Sequence, residues 1–244
     1  MAAFASFWHG SILSPYEELS IKSFLHHGHR VRVFSYDTTL RVPMGCELCD
    51  ARTIFPEDSL FFYSGRQVLK VAAFSNMFRY KLLFDHDMIW TDMDVVCLGR
   101  DGFDRDFVFA RQDEEYYNGA VLKFPRGHEA MRLAAEYCWE RRDKAVWGDL
   151  GPRLLTRVIE EYELHSEAMP REYLYPLHWR DVLMLHDPAM AEQVFDLIEN
   201  SLTIHLWNDM FSRIGMRKTD TPKENSAISA LFAKHGVAWR ETEA

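Results

Sequence analysis

Residues 4–37 read as strand, helix, strand, and that order constrains the fold more than any other feature of the chain. Residues 4–8, Phe-Ala-Ser-Phe-Trp, suit a short strand. Ser14-Pro15 then opens a helix, with Ser as its cap and Pro in the first turn, where a missing N–H costs nothing. Tyr16, Leu19, Ile21 and Leu25 carry the helix, and Gly28 stops it. Val31, Val33 and Phe34 form a second strand ending near Asp37. Strands joined through a helix pair in parallel, so the expected class is α/β, a mostly parallel central sheet flanked by helices.

The rest of the chain continues the pattern. Val71, Phe74, Phe78 and Leu82 recur at helical spacing and predict a helix over 67–85. Strands are expected at 107–110 and 120–124. Helices are expected over 128–142 and 152–163, the first rich in good helix formers. The last third predicts a helix over 189–199, a strand over 202–205 and a helix over 223–235. No Gly- or Ser-rich linker and no repeat divides the chain, so a single domain over 1–244 is expected.

Composition narrows the function. The chain has 244 residues, 48% hydrophobic and 14% aromatic, enough to bury a sizeable core. A net charge of −9 argues against a nucleic-acid partner, because phosphate backbones call for a basic face. The basic pairs at Arg141-Arg142 and between Arg213 and Lys218 are short and read as solvated surface. Cys46-Glu47-Leu48-Cys49 admits half a zinc site or a redox pair, but no second pair follows, so structural thiols in a reducing compartment are expected. The N-terminus lacks a basic region leading into an apolar run, and no stretch reaches the roughly 18 apolar residues of a membrane span. A cytoplasmic protein is expected, with peripheral contact to the inner membrane face left open.

The chemistry concentrates at Ile89-Trp90-Thr91-Asp92-Met93-Asp94-Val95-Val96. On an extended strand Asp92 and Asp94 point to the same side, and at a strand end both reach one hard divalent cation. Such a cation, Mn²⁺ or Mg²⁺, takes oxygen ligands and leaves room for substrate phosphates. A pair of turn aspartates bonded to nearby backbone is the alternative.

The surrounding residues carry a resemblance. Ser75-Asn76-Met77-Phe78-Arg79-Tyr80, followed by Trp90-Thr91-Asp92-Met93-Asp94, resembles the donor region of retaining glycosyltransferases with an Asp-x-Asp motif. The match is to glycosyltransferase family 32, the group of α-1,4-galactosyltransferases and initiating mannosyltransferases. Phe7-Trp8-His9-Gly10, Tyr117-Asn118-Gly119-Ala120, Gly151-Pro152 and His205-Leu206-Trp207 are similar to further family segments, in the family's order. Two positions depart: Asn76 stands where the family has Asp, and Asp87-Met88 where it has Gly-Gly. An amide both donates and accepts, so Asn76 still suits sugar hydroxyls with an altered preference.

The resemblance implies a GT-A fold with a Rossmann-like sheet and a metal-dependent retaining enzyme. It would move a hexose from a nucleotide-sugar, a UDP-sugar first, to a glycan, lipid-linked saccharide or polysaccharide. It implies Asp92, Asp94 and His205 as metal ligands. It assigns the donor to Trp8, Ser75, Asn76, Arg79, Trp90, Asp92, Asn118 and Trp207, with Trp207 closing over it on a mobile tail. Each has a plainer reading: core packing for Trp8 and Trp90, a surface ion pair with Asp85 or Asp87 for Arg79, a turn for Asn118, a hydrogen-bonded structural role for His205. No residue is an evident nucleophile, which fits front-face displacement. Two other classes remain. A haloacid-dehalogenase-like phosphatase fits Asp-x-Asp-x-Val but lacks a later acidic pair, and a non-catalytic nucleotide-sugar-binding domain would rest on the two departures.

Overall fold

The computed structural model describes residues 1–62, 71–99 and 101–239. Its centre is a six-stranded sheet. The strands are β1 (Ala3–Trp8), β2 (Arg30–Ser35), β3 (Cys46–Asp50), β4 (Ile89–Thr91), β6 (Val108–Arg111) and β7 (Tyr117–Lys123), with β5 (Val95–Cys97) outside it. They lie in the order β3-β2-β1-β4-β7-β6. Neighbours from β3 to β4 pair in parallel, while β4–β7 and β6–β7 pair antiparallel. The helices are α1 (Pro15–His26), α2 (Ala72–Asp85), α3 (Glu129–Arg141), α4 (Pro152–Glu161), α5 (Arg171–Leu174), α6 (Ala191–Ile198) and α7 (Ala227–Lys234). A last strand, β8 (Thr203–His205), pairs antiparallel with β5 as a separate ribbon.

Local chemistry explains these boundaries. Ser14 and Glu17 form a reciprocal capping box at the start of α1, with Pro15 inside the first turn. Gly28, at φ +78°, ends that helix in a conformation costly for other residues. Along β1, Phe4 faces one core cluster while Ala5 and Phe7 face the other, the alternation a strand requires. α2 covers the second face. Phe74 and Phe78 pack on Phe7 at ring separations of 5.4 and 4.7 Å, so the helix is fixed beside the ends of β1 and β4.

Three readings need correction. Asp92 and Asp94 do not share a strand. β4 ends at Thr91, and Asp92-Met93-Asp94 is a turn into β5, because the chain there leaves one sheet for another. Residues 46–50 hold an unpredicted edge strand, whose Cys46 and Cys49 pack on opposite faces of the sheet. Three residues apart on a strand, they cannot ligate one metal. The final helix starts at Ala227, since Ser226 caps it and Asn225 takes φ +62°. Residues 67–70 of the expected second helix lie outside the described residues.

Candidate functional site

The strand order defines where a ligand belongs. From β1 the chain runs outward through β2 and β3, then returns to place β4 on the other side of β1. The crevice at the carboxyl ends of β1 and β4 is a topological switch point, the usual ligand position in such sheets. A cleft of about 820 Å³ opens there. Trp8, Ser75, Asn76, Arg79, Trp90, Asp92, Asp94, Asn118, His205 and Trp207 all line it.

Each arrives by a traceable route. Trp8 and Asp92 sit at the ends of paired parallel strands. Antiparallel pairing of β4 with β7, extended by Asp92 N–H to the Ala120 carbonyl at 2.7 Å, sets Asn118 and Gly119 beside Asp92. Pairing of β5 with β8 puts His205 opposite Val95, and the Leu206 N–H reaches the Asp94 carbonyl at 2.8 Å. Three ligand atoms, one each from Asp92, Asp94 and His205, lie within 4.8 Å of one another.

The two aspartates are held differently. Asp92 Oδ1 accepts from Arg79 Nη2 and from the Trp90 indole N–H, each at 2.6 Å. The Arg79 guanidinium also lies 4.9 Å from the Trp90 ring centre, and its side chain is 7% exposed. It is therefore not a surface partner of Asp85 or Asp87, which pair with Lys81 and Lys123. Asp94 Oδ1 faces His205 Nε2 at 3.1 Å, and its Oδ2 accepts from the Asn208 N–H at 2.9 Å. Burial alone would raise the Asp94 carboxyl, but His205, the Asn208 N–H and Lys218 outweigh it and hold its pKa down to about 2. Asp94 is thus ionised across the physiological range.

Two carboxylates and an imidazole suit Mn²⁺ or Mg²⁺. Asp92, Asp94 and His205 would hold such an ion, their ligand atoms converging on one side of the cleft.

The remaining residues divide into lining and support. Trp90 is buried, and its indole orients Asp92. Trp207 is a fixed wall in this structure. Its ring packs 3.9 Å from His205 and its indole N–H donates to the Leu177 carbonyl at 3.0 Å. Its φ of +54° turns the backbone so that the Asn208 N–H meets Asp94. Asn118 lies within β7 and not in a turn; its amide donates to Gln112 Oε1 at 2.7 Å. The Asn76 Nδ2 donates to the Ala72 carbonyl at 2.9 Å. Gly119 leaves room for Arg79, since a Cβ there would stand 2.3 Å from Arg79 Nη1 and force the guanidinium to shift.

Sequence reasoning missed several lining groups. Lys218 pairs with buried Glu17 and sits 5.7 Å from the Trp8 ring centre. Glu17 and Lys218 are 201 residues apart, so no local signal joined them. Trp147, Trp179 and Gln112 also line the cleft and belong to no motif noted in the sequence.

The fold is of the GT-A type found in glycosyltransferases, with the Asp92-Asp94-His205 cluster at its switch-point cleft. Residues 123–238 match the alpha 1,4-glycosyltransferase conserved region. The chain is 28% identical over 145 residues to lactosylceramide 4-alpha-galactosyltransferase of Rattus norvegicus, covering 55% of this chain and 40% of that one. It is 25% identical over 176 residues to alpha-1,4-N-acetylglucosaminyltransferase of Homo sapiens, covering 66% and 49%. The chain thus spans about half or less of these two relatives. Among solved structures, the apo-form glycosyltransferase GlyE of Streptococcus pneumoniae superposes with a TM-score of 0.52 at 14% identity, over 98% of this chain and 61% of that one. No helix among the described residues is long and apolar enough to cross a membrane.

Proposed function

We propose that the chain is a metal-dependent retaining glycosyltransferase that moves a hexose from a UDP-sugar to a saccharide or glycolipid. The observation that carries the reading is the cluster of Asp92, Asp94 and His205 at a switch-point cleft, with buried Arg79 bonded to Asp92. The names of the two relatives, an α-galactosyl- and an α-N-acetylglucosaminyltransferase, support galactose or N-acetylglucosamine as the transferred sugar.

Asp92, Asp94 and His205 would hold Mn²⁺ or Mg²⁺. Bound there, the ion supplies a Lewis acid that neutralises the leaving diphosphate. Trp8 stacks on the base and Lys218 faces the diphosphate. Arg79, Ser75, Asn76 and Asn118 contact the sugar. Among the described residues, four carboxylates line the cleft and each is engaged: Asp92 by Arg79 and Trp90, Asp94 by His205 and Asn208, Glu17 by Lys218 and the Ser14 N–H, and Asp209 by Arg213. That supports front-face displacement without a protein nucleophile. The acceptor oxygen bonds to the anomeric carbon, the bond to the diphosphate oxygen breaks, and the acceptor proton passes to the departing phosphate. Positioning and charge stabilisation then supply most of the acceleration. A cytoplasmic site of action, with peripheral membrane contact for a glycolipid acceptor, belongs to the same reading.

Incubation with UDP-Gal, UDP-GlcNAc, UDP-Glc or GDP-Man, Mn²⁺ and a saccharide tests it. The expected result is Mn²⁺-dependent, acceptor-dependent release of nucleoside diphosphate and an α-configured product by NMR. A β-configured product would refute retention. Donor binding without any transfer would leave only the sugar-nucleotide-binding alternative. Phosphate release without transfer would favour the phosphatase.

A further inference from the structure

The groups assigned to the donor come from β1, α2, the Asp92-Met93-Asp94 turn, β7 and the C-terminal segment. The cleft has another wall that none of them uses. It is formed by Trp179, the first residue of the short helical segment Trp179–His186. We propose that Trp179 is the platform on which the acceptor saccharide stacks, a role that rests on the transferase reading above.

The chemistry suits a sugar. Trp179 is half-buried against the core and still contributes to the cleft surface. An indole offers a flat apolar body to the C–H face of a pyranose. Polar groups surround it. His178 lies 5.1 Å away ring to ring, the Arg180 guanidinium lies over one side of the indole at 4.8 Å from its centre, and Gln112 lines the same cleft. A sugar would stack on the side that Arg180 leaves, and an aromatic ring with hydrogen-bonding groups beside it matches a polyhydroxylated ligand better than an alkyl chain.

The ring is also held in place. Trp179 packs against the core, and its neighbours His178 and Arg180 flank the indole. The turn between β6 and β7, which supplies Gln112 to the same cleft, is itself fixed. The Tyr116 and Glu115 N–H groups reach Asp113 Oδ1 at 2.8 and 3.0 Å, and Gln112 Nε2 reaches Oδ2 at 3.0 Å. Gln112 also accepts from Asn118 at 2.7 Å. A prefixed ring loses little freedom on binding.

The test compares W179A and W179F with the parent chain. UDP affinity with Mn²⁺ is read by calorimetry. Initial rates and saturation-transfer NMR are read with lactose, cellobiose and chitobiose. For W179A the acceptor KM should rise about tenfold or more, kcat should fall less than about threefold, and UDP affinity should stay within about twofold. W179F should regain most of the acceptor affinity, and retained UDP binding doubles as the check on folding. An unchanged acceptor KM, or UDP affinity falling in step with it, overturns the proposal. If the parent chain transfers no sugar, the transferase reading fails and NMR alone decides. Disaccharide contacts that vanish in W179A uphold the platform; contacts that persist, or that are absent from the parent, refute it.

Discussion

Substituting Gly119 by Ala should damage catalysis far more than folding. The Cβ would stand 2.3 Å from Arg79 Nη1 and 3.4 Å from its Cζ. Ordinary contact is ~3.5 Å, so the guanidinium must retreat by about 1 Å. It has little room, packed on Trp90 and almost fully buried. The casualty is the 2.6 Å bond to Asp92. A hydrogen bond between charged groups contributes ~1.5–3 kcal/mol, and about 2 kcal/mol lowers Tm by roughly 4–8 °C in a domain of this size. An Asp92 released from Arg79 and misplaced by ~1 Å should cost on the order of 100-fold in kcat/KM. Thermal melts and steady-state kinetics read the two losses. The same change in an Arg79→Met background isolates the clash, since a shorter uncharged side chain removes the group that Cβ strikes. G119A should then cost little further. Equal losses in both backgrounds, or parent-like activity of G119A, would refute the reasoning.

Asp94→Asn should remove the Mn²⁺-dependent rise in Tm and cut kcat/KM by about 100-fold or more, because an amide neither carries the charge nor matches the His205 contact; a retained Mn²⁺ shift would count against the metal assignment. Glu17→Gln weakens the α1 capping box and releases Lys218, so a loss of ~1 kcal/mol and a higher donor KM are expected from melts and kinetics. Acid should loosen the fold through its histidines. Burial, first, lowers both His186 and His235 to about 4; Lys223 adds to the effect on His186, and His26, Lys234 and His27 to that on His235. These imidazoles are neutral when folded and titrate near 6.5 when unfolded, so stability holds above that pH and falls as pH drops from 6.5 toward 4. Urea melts across that range should show the slope, and His235→Phe should flatten part of it. The depressed Asp94 carboxyl adds a separate loss only as pH falls from about 4 through about 2.

Much of the fold was legible because the apolar pattern is local. Ser14 with Pro15, the apolar residues of α1 and Gly28 predict the first strand–helix–strand unit without tertiary information. β3 escaped notice because Cys-Glu-Leu-Cys-Asp is an edge strand with no fully buried residue, so burial left no mark on its composition. β5 is only three residues long, and its neighbour Asp94 was read as part of one strand with Asp92. At the site, every residue picked out from motif order lines one cleft. The missing ones are joined by chain separation and not by spacing. Lys218 meets Glu17, and Trp179 reaches the cleft, through the folded surface alone. Asn118 was given a turn as its plainer reading because Asn-Gly often makes one. Here Gly119 instead makes room for Arg79, a demand visible only once α2 is docked.

The contact between Asp94 and His205 spans 111 residues of chain. During synthesis, β1 to β4 and α2 emerge first, ahead of β7, α3 and α4, which complete their pairing and cover their faces. The ligand triad has no third member until β8 arrives and the left-handed turn at Trp207 delivers the Asn208 N–H. Closing so long a loop costs entropy early and is repaid late. A nascent or clipped chain ending before β8 could thus hold the parallel half of the sheet while lacking a competent centre, and the appearance of Mn²⁺ affinity would time the last step of assembly.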